Sequence, residues 1–157
     1  NQLNNVIVND SAVGSNTGFG KGMGNKNKFG VQYVSSGNSS DQSDFNMITI
    51  DSFVNEYKIT NIDFIKIDIE GAEFKAFNGM KKILQLNSNL KIFTEITPLL
   101  LDDANSTVKQ VLDFLDDYKF TNRFLSDNRK NTLSKINKQE LLNHMKNSNS
   151  VNILCTQ

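Results

Sequence analysis

The sequence predicts an α/β fold, a mostly parallel sheet with helices layered against it. Three observations carry that expectation. First, Phe64, Ile65, Ile67 and Ile69 form a near-continuous apolar run that ends in Asp68 and Glu70 and turns at Gly71. Such a run is the pattern of a strand covered on both faces of a parallel sheet. Second, apolar stripes of helical period alternate with short apolar runs along the rest of the chain, the rhythm of strand–helix–strand units. Third, the 157 residues are one domain's worth and long enough to bury a substantial core.

Taken in order, Val6-Ile7-Val8 is a short apolar strand, with Ser11 to Gly14 as the loop at its end. Residues 14–30 are rich in Gly, Asn and Lys, and Gly18, Gly20, Gly22 and Gly24 alternate. No phosphate-binding glycine motif is spelled out there, and alternating glycine offers no apolar face to bury, so a mobile surface loop is expected. Phe29, Val31 and Tyr33 alternate as a strand over 29–34, followed by the polar turn Ser35 to Ser40. Met47 to Ile50 reads as a strand antiparallel to it, which makes residues 14–46 a loop and hairpin insertion. Asp51 is then the cap of a short helix that turns Phe53, Val54 and Tyr57 inward.

After the central strand, Ala72, Ala76, Met80 and Leu84 fall at steps of four, with Phe77 and Ile83 beside them, and predict one amphipathic helix. Gly79 inside it costs up to about 1 kcal/mol against alanine, which a close helix–strand approach would explain. Leu90 to Ile96 is the next strand, ended by Thr97-Pro98. Asn105 or Ser106 caps a helix whose buried stripe is Val108, Val111, Leu112, Leu115 and Tyr118. Phe120 to Leu125 is a strand, and Ser126 to Lys135, with Arg129 and Lys130, a solvated loop. Asn137 and Glu140 form a capping box for a helix that keeps His144, the sole histidine, on its polar side. Val151, Ile153 and Cys155 close the domain as an antiparallel strand.

The acids of the central stretch carry the functional reading. Side chains alternate along a strand, so Lys66, Asp68 and Glu70 share one side. An unpaired buried charge costs several kcal/mol, so Lys66 is expected to be paired and the acids to lie at the strand's open carboxyl end. That end is where ligands bind in open α/β sheets. Glu70 and Glu73 also sit where a helix begins, and acids there offset the helix dipole by about 0.3–1 kcal/mol each. For Glu73 that structural role is favoured; for Asp68, which precedes the helix, a site is favoured.

Ile65-Lys66-Ile67-Asp68-Ile69-Glu70-Gly71-Ala72-Glu73, with Asn78-Gly79 following, closely resembles a signature of the FkbM-type methyltransferases, which transfer a methyl group from S-adenosylmethionine, usually to a hydroxyl oxygen. Asn9-Asp10-Ser11-Ala12-Val13-Gly14 resembles the end of that family's third strand, and Ile92-Phe93-Thr94-Glu95-Ile96 its fifth. The resemblance implies a Rossmann-like class I methyltransferase sheet, mostly parallel with a late antiparallel hairpin at its edge. It also implies that the first strand, its glycine-rich turn and the ribose-holding acid lie before Asn1, so the chain is expected to be an N-terminally truncated domain that binds cofactor weakly or not at all.

On the same basis S-adenosylmethionine is the expected cofactor, with Asp10, Ser11, Ala12 and Asp68 on the cofactor side. Asp68, Glu70 and Glu95 are the expected catalytic acids: Asp68 facing the cofactor, Glu70 as base or substrate anchor, Glu95 in support. Asn38 and Ser39 are candidate acceptor contacts. A metal held by the three acids is chemically conceivable, but no histidine or further acid converges in the sequence, and none is expected.

Composition bounds the partners. Lys plus Arg and Asp plus Glu number 17 each, so no global field attracts nucleic acid or a charged membrane. No apolar run is long enough to span a bilayer. The single Cys155 suits a reducing compartment and a cytoplasmic protein, and in an apolar strand it reads as a buried inert thiol. The expected partner is a small-molecule or glycan acceptor. The competing reading is a noncatalytic α/β interaction module whose acids serve only helix starts and ion pairs.

Overall fold

A computed structural model of the chain describes residues 3–23, 33–37, 45–127 and 129–157. It is a mixed α/β structure with two sheets. The smaller contains β1 (Ala12–Val13), β2 (Gly18–Met23), β3 (Tyr33–Gly37) and β4 (Phe45–Ile48), in the order β1-β4-β2-β3. β1 runs parallel to β4, and β2 runs antiparallel to both β4 and β3. Helix α1 (Ile50–Glu56) leads to β5 (Phe64–Ile67), α2 (Glu73–Asn78), α3 (Lys81–Leu86) and β6 (Lys91–Ile96). Then follow α4 (Pro98–Asp103), α5 (Val108–Asp117), β7 (Asn122–Asp127), β8 (Thr132–Lys135), α6 (Lys138–Met145) and β9 (Val151–Thr156).

The larger sheet has the order β5-β6-β9-β7-β8. Among the described residues its only parallel neighbours are β5 and β6; β9 inserts antiparallel between β6 and β7, and β8 folds back on β7. The expected mostly parallel sheet is therefore corrected to a mostly antiparallel one. The physical reason is β9: it returns into the middle of the sheet, so β6 and β7, which point the same way, never pair. The edge hairpin is made by β7 and β8, not by the terminal strand, and β8 replaces the solvated loop expected over 126–135.

Burial alternates cleanly along the inner strands. Ile92 and Ile96 of β6 and Val151, Ile153 and Cys155 of β9 are buried, together with Ile67, Phe77, Leu84, Leu101, Leu112, Leu115 and Leu141. Helices α2 to α6 thus cover one face of the sheet, and burying each such side chain contributes about 1.5–3 kcal/mol. The opposite face, carrying Phe93, Leu154 and Phe124 in one row of the register, stays half exposed. Phe64 is 53 % exposed. β5 is thus not covered on both faces, and among the described residues its outer edge is unpaired.

Several further expectations change. Val6, Ile7 and Val8 are exposed and form no strand; β1 begins only at Ala12. Within the expected loop over 14–30, Gly18–Met23 is a strand held by backbone pairing on both sides. β4 pairs with β2 and not with β3. Of the expected strand over 29–34, only Tyr33 and Val34 are described, and the strand there continues to Gly37. Tyr57 is exposed and does not turn inward.

Thr49, not Asp51, caps α1, in a reciprocal box with Ser52. Asp51 instead accepts the backbone N–H groups of Lys82 and Ile83, both at 3.1 Å, and so caps α3. The helix expected from Ala72 to Leu84 is consequently two, α2 and α3, broken at Gly79 and Met80. A Cβ on Gly79 would collide with the carbonyl oxygen of Gly14, the close approach that its glycine implied. Pro98 does end β6, but it opens α4, an extra helix. Thr107 with Gln110, not Asn105 or Ser106, caps α5. The Asn137–Glu140 box caps α6 as expected, and His144 is exposed.

Candidate functional site at the carboxyl rim

The rim is built by the turn after β5. Glu70 and Gly71 both have positive φ, 54° and 98°. Gly71 is required: a Cβ there would strike the Leu100 backbone of α4. Glu70 gains nothing from glycine's freedom, but Lys58, Asn105, Lys119 and Asn131 adopt the same conformation in ordinary turns. Its strain alone therefore does not mark it as functional.

Glu73 locks this turn. It is 2 % exposed, and its Oε1 accepts the N–H groups of Ile69 and Gly71, each at 3.2 Å. Among the described residues its Oε2 has no hydrogen-bond partner. Burial pushes its carboxyl up, although the backbone N–H donors oppose the shift. The structural role favoured for Glu73 is thus a fold-back staple, stronger than a helix-dipole contact.

Asp68 stands at the carboxyl end of β5, paired to Lys66 at 2.7 Å. The Lys66 ammonium, hydrogen-bonded to the Asp68 carboxylate, holds that carboxyl below the usual carboxylate range, and burial opposes this. The pair is exposed, 57 % for Lys66 and 38 % for Asp68, so it contributes no more than about 1 kcal/mol to stability. The fold therefore does not depend on Asp68.

Glu95 lies opposite Asn152, which lies opposite Ser126, so one rung of the sheet runs Glu95–Asn152–Ser126. The parallel register, Ile67 opposite Thr94, sets Asp68 beside Glu95, and Glu70 sits two residues beyond Asp68, exposed at the turn. Three carboxylates against one ammonium give this rim a negative field that suits a cationic ligand.

Asp10, Ser11 and Ala12 lie at the start of the smaller sheet, where Ser11 donates its N–H to Asn9 Oδ1 at 2.9 Å. Gly14 fixes this segment by donating to Ile48 O at 2.9 Å. No hydrogen bond or ion pair joins residues 10–12 to the rim acids among the described residues. Asn38 and Ser39 lie outside the described residues. Among the described residues no three His, Cys, Asp or Glu side chains converge as a metal would require, and no helix is long and apolar enough to cross a membrane.

Sequence reasoning missed a hollow of about 570 Å³ on this rim, beyond Asn152, bordered by Ser126, Arg129, His144 and Ser148. It depends on the β7–β8 hairpin, which composition disguised as a loop. Another hollow, of about 590 Å³ between Leu84, Tyr118 and Gln157, lies at the sheet's opposite end, away from every rim acid. Also missed was Arg123, buried in β7 and bound to Asp116, which together with Lys138 and Asp113 ties β7, α5 and α6. Cys155 is buried, its thiol pushed up to about 12 by desolvation, and is inert as expected.

The chain is a mixed α/β structure in which Asp68 and Glu95 lie at the carboxyl end of the parallel pair β5 and β6. The model of the methyltransferase FkbM domain matches residues 2–121, and the chain belongs to that family. No curated protein and no solved structure matches it. The matched residues include β5, β6 and all three candidate acids; β7, β8, α6 and β9 follow them.

Proposed function

We propose that this methyltransferase domain uses S-adenosylmethionine to methylate a hydroxyl oxygen on a small molecule or glycan. The observation that carries the reading is the register of β5 on β6, Ile67 opposite Thr94, which sets Asp68 and Glu95 side by side at the carboxyl rim of a chain belonging to a methyltransferase family. The donor set fits the cofactor's chemistry: a carboxylate held ionised beside a second acid suits a sulfonium cation. Asp68 would hold the cofactor's charge, and Asp10, Ser11 and Ala12 would border its adenine. When bound, the cofactor supplies the electrophilic methyl group.

The chain's own residues do the rest. Glu70, exposed at the apex of the turn, would take the acceptor's hydroxyl proton on a carboxylate oxygen. Glu95, beside Asp68 in the sheet register, would add negative charge for the cofactor's cation, while Glu73 would keep the turn rigid. Asn38 and Ser39 would contact the acceptor.

Turnover of the full-length protein and its variants tests this assignment. Glu70→Gln should lower it by about 10²–10⁴, the range for loss of a general base. Asp68→Asn should lower it strongly with an unchanged melting temperature, because the Lys66 pair stabilises so little. Wild-type rates in both variants would remove both residues from the site.

The Lys66–Asp68 ion pair favours a second reading, a noncatalytic interaction module in which that acid only balances charge. A full-length protein that folds and shows no heat with S-adenosylmethionine would decide for it.

A further inference from the structure

The hollow on the carboxyl rim belongs to no residue assigned so far. It lies between the β7–β8 hairpin and the link from α6 to β9, and its 570 Å³ is within the range of about 300–1,000 Å³ typical of small-molecule sites. Its polar lining includes Ser126, Arg129, His144, Ser148, Ser150 and Asn152.

The charges there are unevenly committed. Asp127 is the one acid in the lining. Its carboxylate accepts the backbone N–H groups of Arg129 and Lys130, at 3.0 and 3.2 Å, and pairs with Lys130 Nζ at 3.5 Å. The Arg129 guanidinium and the His144 ring have no partner among the described residues; His144 is engaged through its backbone, whose oxygen accepts from Ser148 Oγ at 3.1 Å and from the Asn147 N–H at 3.2 Å. What the hollow leaves free is therefore donor and cationic. A guanidinium with free donors matches a carboxylate or phosphate, both of which accept its fork bidentately.

Position gives this a purpose. Ser126 faces Asn152 across one strand spacing and Asn152 faces Glu95 across another, each about 4.8 Å. The hollow thus opens along the same rim as the acids. An anionic group is repelled by Asp68, Glu70 and Glu95 and attracted by Arg129, so the rim's field has opposite signs at its two ends. A molecule with a charged end and a hydroxyl end would be laid along it in one direction only.

We propose that this hollow anchors the methyl acceptor by an oxyanion, a carboxylate or a phosphate, with Arg129 as the charge-assisted donor and His144 beside it. The acceptor would then be an anionic hydroxyl compound. This rests on the methyl-transfer reading for the acceptor's role, but the anion site can be tested alone.

Isotope-labelled full-length protein is titrated with glycerol phosphate, glycerate and uncharged glycerol while its amide resonances are followed. The expected result is saturable shifts at Ser126, Arg129, Ser148, Ser150 and Asn152 with at least one of the anions and none with glycerol. Saturation by glycerol phosphate alone assigns a phosphate; by glycerate alone, a carboxylate. Arg129→Gln keeps the backbone N–H that Asp127 accepts and should weaken anion binding about ten-fold, whereas Lys119→Gln at the far end should not change it.

No saturable shift with either anion, or Arg129→Gln binding as the wild type does, overturns the proposal. Cofactor titration of the same sample separates the two readings. Cofactor heat without anion shifts sinks the hollow alone. Anion shifts without cofactor heat leave the anion site standing and sink methyl transfer.

Discussion

Glu73 shows what a single side chain does here. Burial favours its neutral form, so its carboxyl titrates above the ordinary glutamate range in the folded state. For an acid raised in this way, the folded state holds a proton that the unfolded chain has already released. Its contribution to stability is complete below the unfolded pKa and is lost as pH rises through the folded one. Glu73→Gln keeps an acceptor for Ile69 and Gly71 and cannot ionise. Denaturant unfolding followed from about pH 4 to pH 8 should therefore show a decline for the wild type that the variant lacks. Glu73→Ala leaves two N–H groups without their acceptor and should cost about 2–4 kcal/mol at the acid end of that range, and less as pH rises. A wild type and glutamine variant with parallel pH profiles would contradict this account.

At this scale the sequence was only partly readable. Gly79 announced a close approach, and Gly14 supplies it. Glu73 was readable as structural, but its bond back to Ile69 was hidden, because a first-turn acid looks the same whether it faces solvent or folds back.

Between elements, the long-range cap of α3 matters most. Asp51 lies 31 residues before Lys82, and no local pattern joins them. The run of apolar residues at steps of four from Ala72 to Leu84 is real, and Ala76, Met80 and Leu84 are all buried. What breaks the helix is the neighbouring backbone at Gly79 and the foreign carboxylate at the start of α3. Asp51→Ala should destabilise by about 0.5–2 kcal/mol in equilibrium unfolding, the usual worth of a cap. Asp51→Asn, which keeps an acceptor, should lose less. Equal stability of the alanine variant and the wild type would mean that α3 starts without help.

Strands divided along the same line. β6 and β9 were legible because side chains stabilise them, with alternate residues facing the core. β2 was not, because Gly18, Gly20 and Gly22 bring no packing face and the strand is held by backbone pairing to β3 and β4. Pairing order was hidden too: nothing within Val151 to Cys155 says that it enters between two earlier strands.

For the molecule as a whole, helices cover one face of the larger sheet, while Phe93, Leu154 and Phe124 leave the other half exposed. The rim between them gathers acids at one end and Arg129 with His144 at the other. Formal neutrality of the chain conceals this local separation. The acids were legible because a strand of isoleucines ending in carboxylates is an unusual pattern. The cationic end was not, because it needs the β7–β8 hairpin and the turn before β9 to meet.

Calorimetric titration of the full-length protein with S-adenosylmethionine tests the central claim most directly. The account predicts saturable heat, and affinity at least ten-fold lower in Asp68→Asn with the fold intact. Absence of heat from the folded wild type, or unchanged affinity in the variant, would contradict it.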